Sequence, residues 1–252
     1  MSGDTLSFAE AVRARHSVRA FLPDPLSPAQ IRSVLEDART APSNCNTQPW
    51  NIHIVSGRQR DLLSKELLRA EAAGELSGDF TFDQNEYFGA YAQCSRHQVQ
   101  TRNDALGIAR SDREARRMAD RRNFEFYGAP HVAMLFAPVF GDGVRVGGDI
   151  GMYAQTFLLS LAARGLGGIP QTVLGLYADT VRDVLNVPDD LKLFFGISFG
   201  HEDRSSRDNS YRLGRVPAQE SVIAHDTPGL FDSRQAPNPP LQSPDDTKGR
   251  AS

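Results

Sequence analysis

The sequence predicts one α+β or mixed α/β domain, and three observations carry the prediction. Segments with helical spacing are interleaved with only three or four strand-like runs. The regular strand–helix alternation of a doubly wound parallel sheet is absent. At 252 residues the chain is long enough for one sizeable core. With 40 % apolar and 23 % charged residues the composition is that of a globular protein, and a net charge of -3 offers nucleic acid or an anionic membrane no strong field. No apolar run approaches the roughly 18 residues that span a bilayer. Residues 1–15 carry Asp4 and Glu10 and do not read as a secretory signal. The two cysteines, Cys45 and Cys94, argue against a disulfide scaffold and read as small buried or half-buried hydrophobes; the default compartment is the cytoplasm.

The elements follow in order. Ser7 with Glu10 and Ser27 with Gln30 fit the capping box that satisfies the free amides opening a helix. Pro28 sits where its missing N–H costs nothing, and Ile31, Val34, Leu35 and Ala38 recur at helical spacing, so a helix is predicted over 28–39. Residues 51–55 alternate as a strand, and 58–74 read as a helix. Residues 75–92 show no period, whereas 93–127 are polar, arginine-rich and helical in propensity, with Ser111 and Glu114 as a third capping box. "HVAMLFAP" is a continuous apolar run, as in a central strand. Asp149 is predicted to cap a long buried helix through Tyr153, Phe157, Leu158 and Leu161, ending at Gly165. A short helix is expected near 179–186, and "LKLFFGISFG" alternates as another strand. Residues 1–225 thus form one domain with an excursion at 75–127, and the proline-rich stretch 226–252 reads as a disordered tail.

Familiar chemistries are mostly excluded. "GLGGIPQ" has Pro170 where a dinucleotide fingerprint requires glycine, and no phosphate-binding P-loop motif occurs. The six histidines fall at no metal-ligand spacing. "GISFG" fits a nucleophile elbow with Ser198, followed in order by Asp208 and His225, but the polar stretch after it lacks the helix that the elbow needs. A serine hydrolase using Ser198 is a distant alternative. The absence of an evident nucleophile or metal site is compatible with a bound cofactor that carries the chemistry. In "RARHSVRAF", Arg15, Ser17 and Arg19 fall on one side of an extended segment, a groove suited to phosphate or else a solvated basic face. Arg212 and Arg215 form a second cluster that would have to converge on the first.

Together, "RHSVRAF", "APSNCNTQPW", "GLGGIPQT" and "RVP", with "NFEFYGAPHVAMLF" and "DIGMYAQTFLLSLAARGLG" between them, resemble the FMN-dependent nitroreductase family, in particular its nitrobenzoate reductase branch. The resemblance covers roughly residues 5–222. It implies a three-layer α/β/α fold with a central mixed, mainly antiparallel sheet, built as an intertwined homodimer with flavins at the interface. It implies that Arg15, His16, Ser17 and Arg19 hold the FMN phosphate and ribityl chain, with Arg215 completing the phosphate site and Arg212 assisting. Ser43, Asn44 and Asn46 would reach the flavin of the partner subunit. Pro170, Gln171 and Thr172 would lie along the isoalloxazine, where a backbone N–H is expected near N5; Thr172-Val173 stands where many members have Glu-Gly. The implied activity is ping-pong hydride transfer from NAD(P)H through FMN to a nitroaromatic or related aromatic acceptor. A quinone reductase, a reductive dehalogenase and a non-catalytic flavin carrier are the alternatives on that scaffold. Phe80, Phe82, Tyr87, Phe88 and Tyr91 are candidates for a substrate lid, or else pack the excursion. The arginines of 93–127 are candidates for an acceptor's carboxylate or a 2′-phosphate, or else form a solvated face.

Overall fold

A computed structural model describes residues 5–231; the greater part of the expected tail, 232–252, lies outside the described residues. Seven helices and four strands follow the chain: α1 (Phe8–Ala14), α2 (Pro28–Ala38), β1 (Asn51–Ser56), α3 (Gly57–Ala73), α4 (Gly89–Leu106), α5 (Arg113–Arg121), β2 (His131–Ala137), α6 (Val144–Ala163), β3 (Gly167–Gln171), α7 (Ala178–Leu185) and β4 (Lys192–Gly200). Short 3₁₀ turns, among them Asn44–Asn46 and Arg207–Asn209, punctuate the connections.

The strand order is β1-β2-β4-β3, and every pairing is antiparallel. The expected mixed character survives only as one parallel bridge, between Ser17 and Gly168. Side chains alternate across the pleat, which builds three layers. Val132, Met134 and Phe136 of β2 join α3 and α7 in one core, while Ala133, Leu135 and Ala137 join α2 and α6 in the other. Every residue of β2 is buried, as its unbroken apolar run requires of a strand covered on both faces.

Both N-terminal capping boxes form, at Ser7–Glu10 and Ser27–Gln30. The third does not: Asp112 caps α5, its carboxylate accepting the Ala115 N–H at 2.9 Å, because a charged oxygen one residue nearer the helix outcompetes the Ser111 hydroxyl. Asp149 is also not a cap. The long helix α6 starts five residues earlier, at Val144, and carries Asp149 buried in its interior, where Oδ1 accepts the Asn44 N–H at 2.9 Å. The expected stop holds: the helix ends at Ala163, and Gly165 follows in the left-handed region with φ +69°. Both cysteines are exposed rather than buried.

The even alternation expected along β4 is broken by a bulge. Leu135 pairs with Phe195, but Phe136 pairs with Leu193, so Phe194 is the extra residue and Leu193 joins the opposite core from Ile197 and Phe199. Phe194 is thereby aimed at the excursion, where its ring lies 4.6 Å from that of Phe80.

His131 joins three elements. The Leu26 N–H donates to its Nε2 at 2.9 Å, and its Nδ1 lies 2.6 Å from the Ser56 hydroxyl. An amide can only donate, so Nε2 accepts and the folded ring is neutral, with its proton on Nδ1. Burial lowers its pKa below the ordinary 6.5. A depressed folded-state pKa makes this contribution to stability full above about pH 6.5, and it is lost as pH falls toward the folded-state value. Urea midpoints measured at pH 7.5 and 5.5 are expected to show a drop that shrinks in His131→Gln; an equal drop in both proteins would refute the assignment.

Candidate functional site

The chain leaving α1 is extended, with Val18 and Ala20 buried and Ser17 and Arg19 on the opposite side. It lies along the free edge of β3, where Ser17 bridges to Gly168 and the Val18 N–H donates to the Gly168 carbonyl at 3.3 Å. Gly167 makes that approach possible, and Gly168 lets the strand lie close on α6. A Cβ on Gly167 would stand 2.8 Å from Val18 Cγ2, and one on Gly168 would stand 2.8 Å from Leu161 Cδ1.

Asn209, which sequence reasoning did not single out, brings the two arginine clusters together. It is buried; its Oδ1 accepts the Arg19 N–H at 2.7 Å, and its Nδ2 donates to the carbonyls of Ala20 and Asp203 at 2.8 and 2.9 Å. Clamped this way, the C-terminal segment places Arg212 and Arg215 beside Arg15, His16, Ser17 and Arg19 around a cleft of about 510 Å³. Arg13 and Tyr211 also line it. The hydrogen-bond pattern of Asn209 connects positions about 190 residues apart, so no local signal marks it.

The cleft is cationic and largely uncompensated. Among the described residues Arg13, Arg15, Arg19 and Arg215 have no carboxylate within ion-pairing distance. Burial, and then the like charge of Arg215, holds the Arg15 pKa below its ordinary value. The Arg19 guanidinium lies 5.6 Å from the Tyr211 ring centroid, and burial raises the Tyr211 pKa. Glu202 is the local exception: it sits 2.9 Å from His16 Nε2 and 3.9 Å from Arg212 Nη2. His16 Nδ1 faces the Ala14 carbonyl at 2.8 Å, so both nitrogens of this ring are already engaged. Arg212 likewise spends Nη1 on the Asn209 and Tyr211 carbonyls. Arg15, Arg19 and Arg215 are therefore the cations best placed for an anion.

At the end of β3, Pro170 and Thr172 are exposed but Gln171 is buried. Its Nε2 donates to the Asn123 carbonyl at 2.9 Å, and its Oε1 accepts from Ser198 Oγ. Only the main chain of Gln171 is left to face a ligand. The same contact disposes of the hydrolase alternative. Ser198 is fully buried within β4, which runs straight on to Gly200, Asp208 pairs with Arg122, and His225 is exposed. No strand-to-helix turn presents its hydroxyl.

Ser43, Asn44 and Asn46 are not brought to this cleft within the chain. Their loop lies over the first turns of α6 and has Cys45, Asn46 and Gln48 in the left-handed region at φ 51°, 56° and 47°. Such strain in three non-glycine residues persists only where contacts overdetermine the loop. Here the Gln48 N–H donates to Ser43 Oγ at 2.9 Å and the Asn44 N–H to Asp149. Trp50 closes the loop against Tyr153, with ring centroids 5.1 Å apart, and burial pushes the Tyr153 pKa up to about 12.

The excursion aromatics do not form one stack. Phe80 packs on Phe194, while Phe82 meets Tyr87 and Phe88 meets Tyr91 edge-on at 6.3 and 5.5 Å. Of the five, only Tyr87 lines the excursion's own cavity, of about 650 Å³. Among the described residues no His, Cys, Asp or Glu cluster could hold a metal ion, and no helix is long and apolar enough to cross a membrane.

Comparison with known proteins bears on the same segments. The profile of the Nitroreductase family matches residues 12–201. The chain is 40 % identical over 225 residues to nitroreductase NfnB of Mycolicibacterium smegmatis, covering 88 % of this chain and 95 % of that protein. It is 32 % identical over 223 residues to a 4-nitrobenzoate reductase of Pseudomonas putida, covering 85 % and 94 %. The crystal structure of the FMN-dependent nitroreductase NfnB from Mycobacterium smegmatis in complex with NADPH superposes with a TM-score of 0.83 at 39 % identity, over 86 % of this chain and 97 % of that one. With a matched profile spanning both the cationic segment after α1 and the whole sheet, this chain belongs to the nitroreductase family.

Proposed function

We propose that this chain is an FMN-dependent oxidoreductase that takes reducing equivalents from NAD(P)H and delivers them to a nitroaromatic or related aromatic acceptor. The observation that carries the reading is the cleft itself: Arg15, Arg19 and Arg215 converge there without carboxylate partners among the described residues. An isolated polycation pocket repels itself, and a phosphate monoester relieves that repulsion, so the residues fit the phosphate end of FMN. Ser17 lines the same cleft and would offer a hydroxyl to phosphate or ribityl oxygens. The main chain at Pro170, Gln171 and Thr172, held by the Ser198–Gln171–Asn123 hydrogen bonds, would lie along the ring system. Bound FMN would supply the hydride relay between nicotinamide and acceptor. The protein's part is to anchor, orient and supply donors and positive charge where negative charge develops.

Ser43, Asn44 and Asn46 fit this reading as contributions to the partner subunit's flavin in a homodimer. Residues 214–230 are exposed and, among the described residues, make main-chain hydrogen bonds only with one another, yet carry Val216, Val222, Ile223 and Leu230; Ile223 is 82 % exposed. A second copy of the chain is the surface these residues lack. The cytoplasm, with its supply of reduced nicotinamide, is the compartment that suits the activity.

The test is direct. The purified protein is expected to be yellow, to bind one FMN per chain, and to oxidise NADPH or NADH faster when 4-nitrobenzoate or nitrobenzene is added. A colourless protein that takes up no FMN on reconstitution would overturn the reading. Turnover with quinones or halogenated aromatics and none with nitroaromatics would move the acceptor to those classes.

A further inference from the structure

The serine of "GISFG" is no nucleophile, yet it is fully buried and hydrogen-bonded in a way that an apolar core does not need. We propose that Ser198 is a positioning residue for the flavin site: by holding the Gln171 side chain inward it fixes the main chain of 170–172 against the flavin ring, and so raises the cofactor's reduction potential without adding to the affinity for oxidised FMN. The proposal rests on the FMN-dependent reading above.

Ser198 stands opposite Val132 of β2 and Ile169 of β3, so its side chain points into the core that those residues share with α3 and α7. Gln171 follows Ile169 by two residues and faces the same way, diagonal to Ser198 and only 3 % exposed. Apolar side chains at both positions would fill that core with no polar group to desolvate. The polar pair adds direction instead. Asn123 presents its main-chain carbonyl at 2.9 Å and its Oδ1 at 3.3 Å to the Gln171 amide; both only accept, so the amide nitrogen must face them. The amide oxygen is thereby turned to Ser198, whose hydroxyl donates to it. With its donor and its acceptor both engaged, the Gln171 side chain is held in one orientation.

The far end of this chain of hydrogen bonds is itself fastened. Asn123 opens a turn in which Phe126 and Tyr127 take left-handed φ values of 56° and 54°, and its carbonyl also accepts the Phe126 N–H at 3.1 Å. Arg60 of α3 keeps the strained turn in shape: its Nε donates to the Ala129 carbonyl at 3.0 Å and its Nη2 to the Glu125 carbonyl at 2.6 Å. Anchored between the sheet and this clamped turn, Gln171 ends β3 with its side chain immobilised and its main chain leading into the exposed Thr172. Main-chain donors fixed at this point stabilise negative charge that builds on the ring during reduction. Loosening them weakens the hold on the reduced cofactor more than on the oxidised one.

The experiment measures the midpoint potential of bound FMN, the affinity for oxidised FMN and the melting temperature in wild type and four variants. Ser198→Val and Ser198→Thr have the same shape and differ only in the hydroxyl. Ser198→Val, Ser198→Ala and Gln171→Met are each expected to weaken the reduced form relative to the oxidised form at least about tenfold, as the loss of one hydrogen bond to charge predicts. For a two-electron couple that is a fall of about 30 mV. Ser198→Thr should keep the wild-type potential. Affinity for oxidised FMN should change little in all four, because Arg15, Arg19 and Arg215 are untouched. A potential that is the same in Ser198→Val and Ser198→Thr, whatever happens to the melting temperature, would overturn the proposal and leave Ser198 a packing residue. If neither of those two variants folds, Ser198→Ala and Gln171→Met against wild type decide on the same criterion. A wild type that takes up no FMN would sink both readings; one that binds FMN with a potential indifferent to these variants would sink this one alone.

Discussion

Replacing Arg15 and Arg215 together by alanine is expected to cost at least about a hundredfold in FMN affinity, since each removes a charge-assisted hydrogen bond to phosphate. The same variant should be no less stable than wild type when both are stripped of cofactor. The reason is the sign of the interaction between the two side chains: in the absence of an anion they are like charges, and Arg215 disfavours the charged form of Arg15. Deleting them removes repulsion, not an ion pair. Fluorescence titration with FMN and thermal melts of the apo protein separate these effects. Unchanged FMN affinity would refute the phosphate-site assignment, and a large fall in apo stability would assign the arginines a structural role. Arg19→Ala is expected to weaken FMN as well, because Arg19 lines the same cleft without a carboxylate partner among the described residues.

The largest stability loss is expected at Asp79, where the excursion is fastened to the sheet. Its carboxylate and Arg182 form a buried pair, with side chains 8 % and 5 % exposed. It also accepts the Leu193 N–H at 2.8 Å and lies 3.4 Å from Lys192 Nζ. Asp79→Ala leaves the Arg182 guanidinium buried with the Leu191 carbonyl, at 3.4 Å, and the exposed Asp179 carboxylate, at 2.9 Å, as its remaining partners among the described residues. Breaking a buried pair from one side costs about 3–5 kcal/mol. Asp79→Asn keeps an acceptor for Leu193 and should cost less. Removing both partners, as Asp79→Leu with Arg182→Met, should recover most of the loss, since no charge is then stranded. Denaturant unfolding measures all three, and a cost below about 1 kcal/mol for Asp79→Ala would show that the pair does not anchor the excursion.

Features whose causes are local were legible in the chain. The capping boxes at Ser7 and Ser27 depend on side chains three residues apart and formed as expected. The Ser111 box failed because the neighbouring Asp112 is a better acceptor, which is a competition between adjacent residues and not a tertiary effect. The strand β3 was hidden for the opposite reason. Gly167, Gly168 and Pro170 are poor strand formers, and they pair only because β4 offers an edge and the segment after α1 needs a close approach. The bulge at Phe194 likewise arises from how β4 meets β2, and nothing in its own alternation announces it.

The site divides along the same line. Sequence by itself determined the charge and type of the groups: arginines two apart on an extended segment, a second arginine cluster near the C-terminus, and an amide-rich loop before Trp50. Those properties reside in single side chains and in the two-residue repeat of extended backbone. Only the tertiary structure decided which groups meet. Asn209 brings Arg215 to Arg15, Gln171 is spent on Ser198 and Asn123, and the loop at Ser43 stays away from the cleft in its own chain. Convergence depends on hydrogen bonds between residues 27 to 190 positions apart, and their partners exist only once the chain has folded.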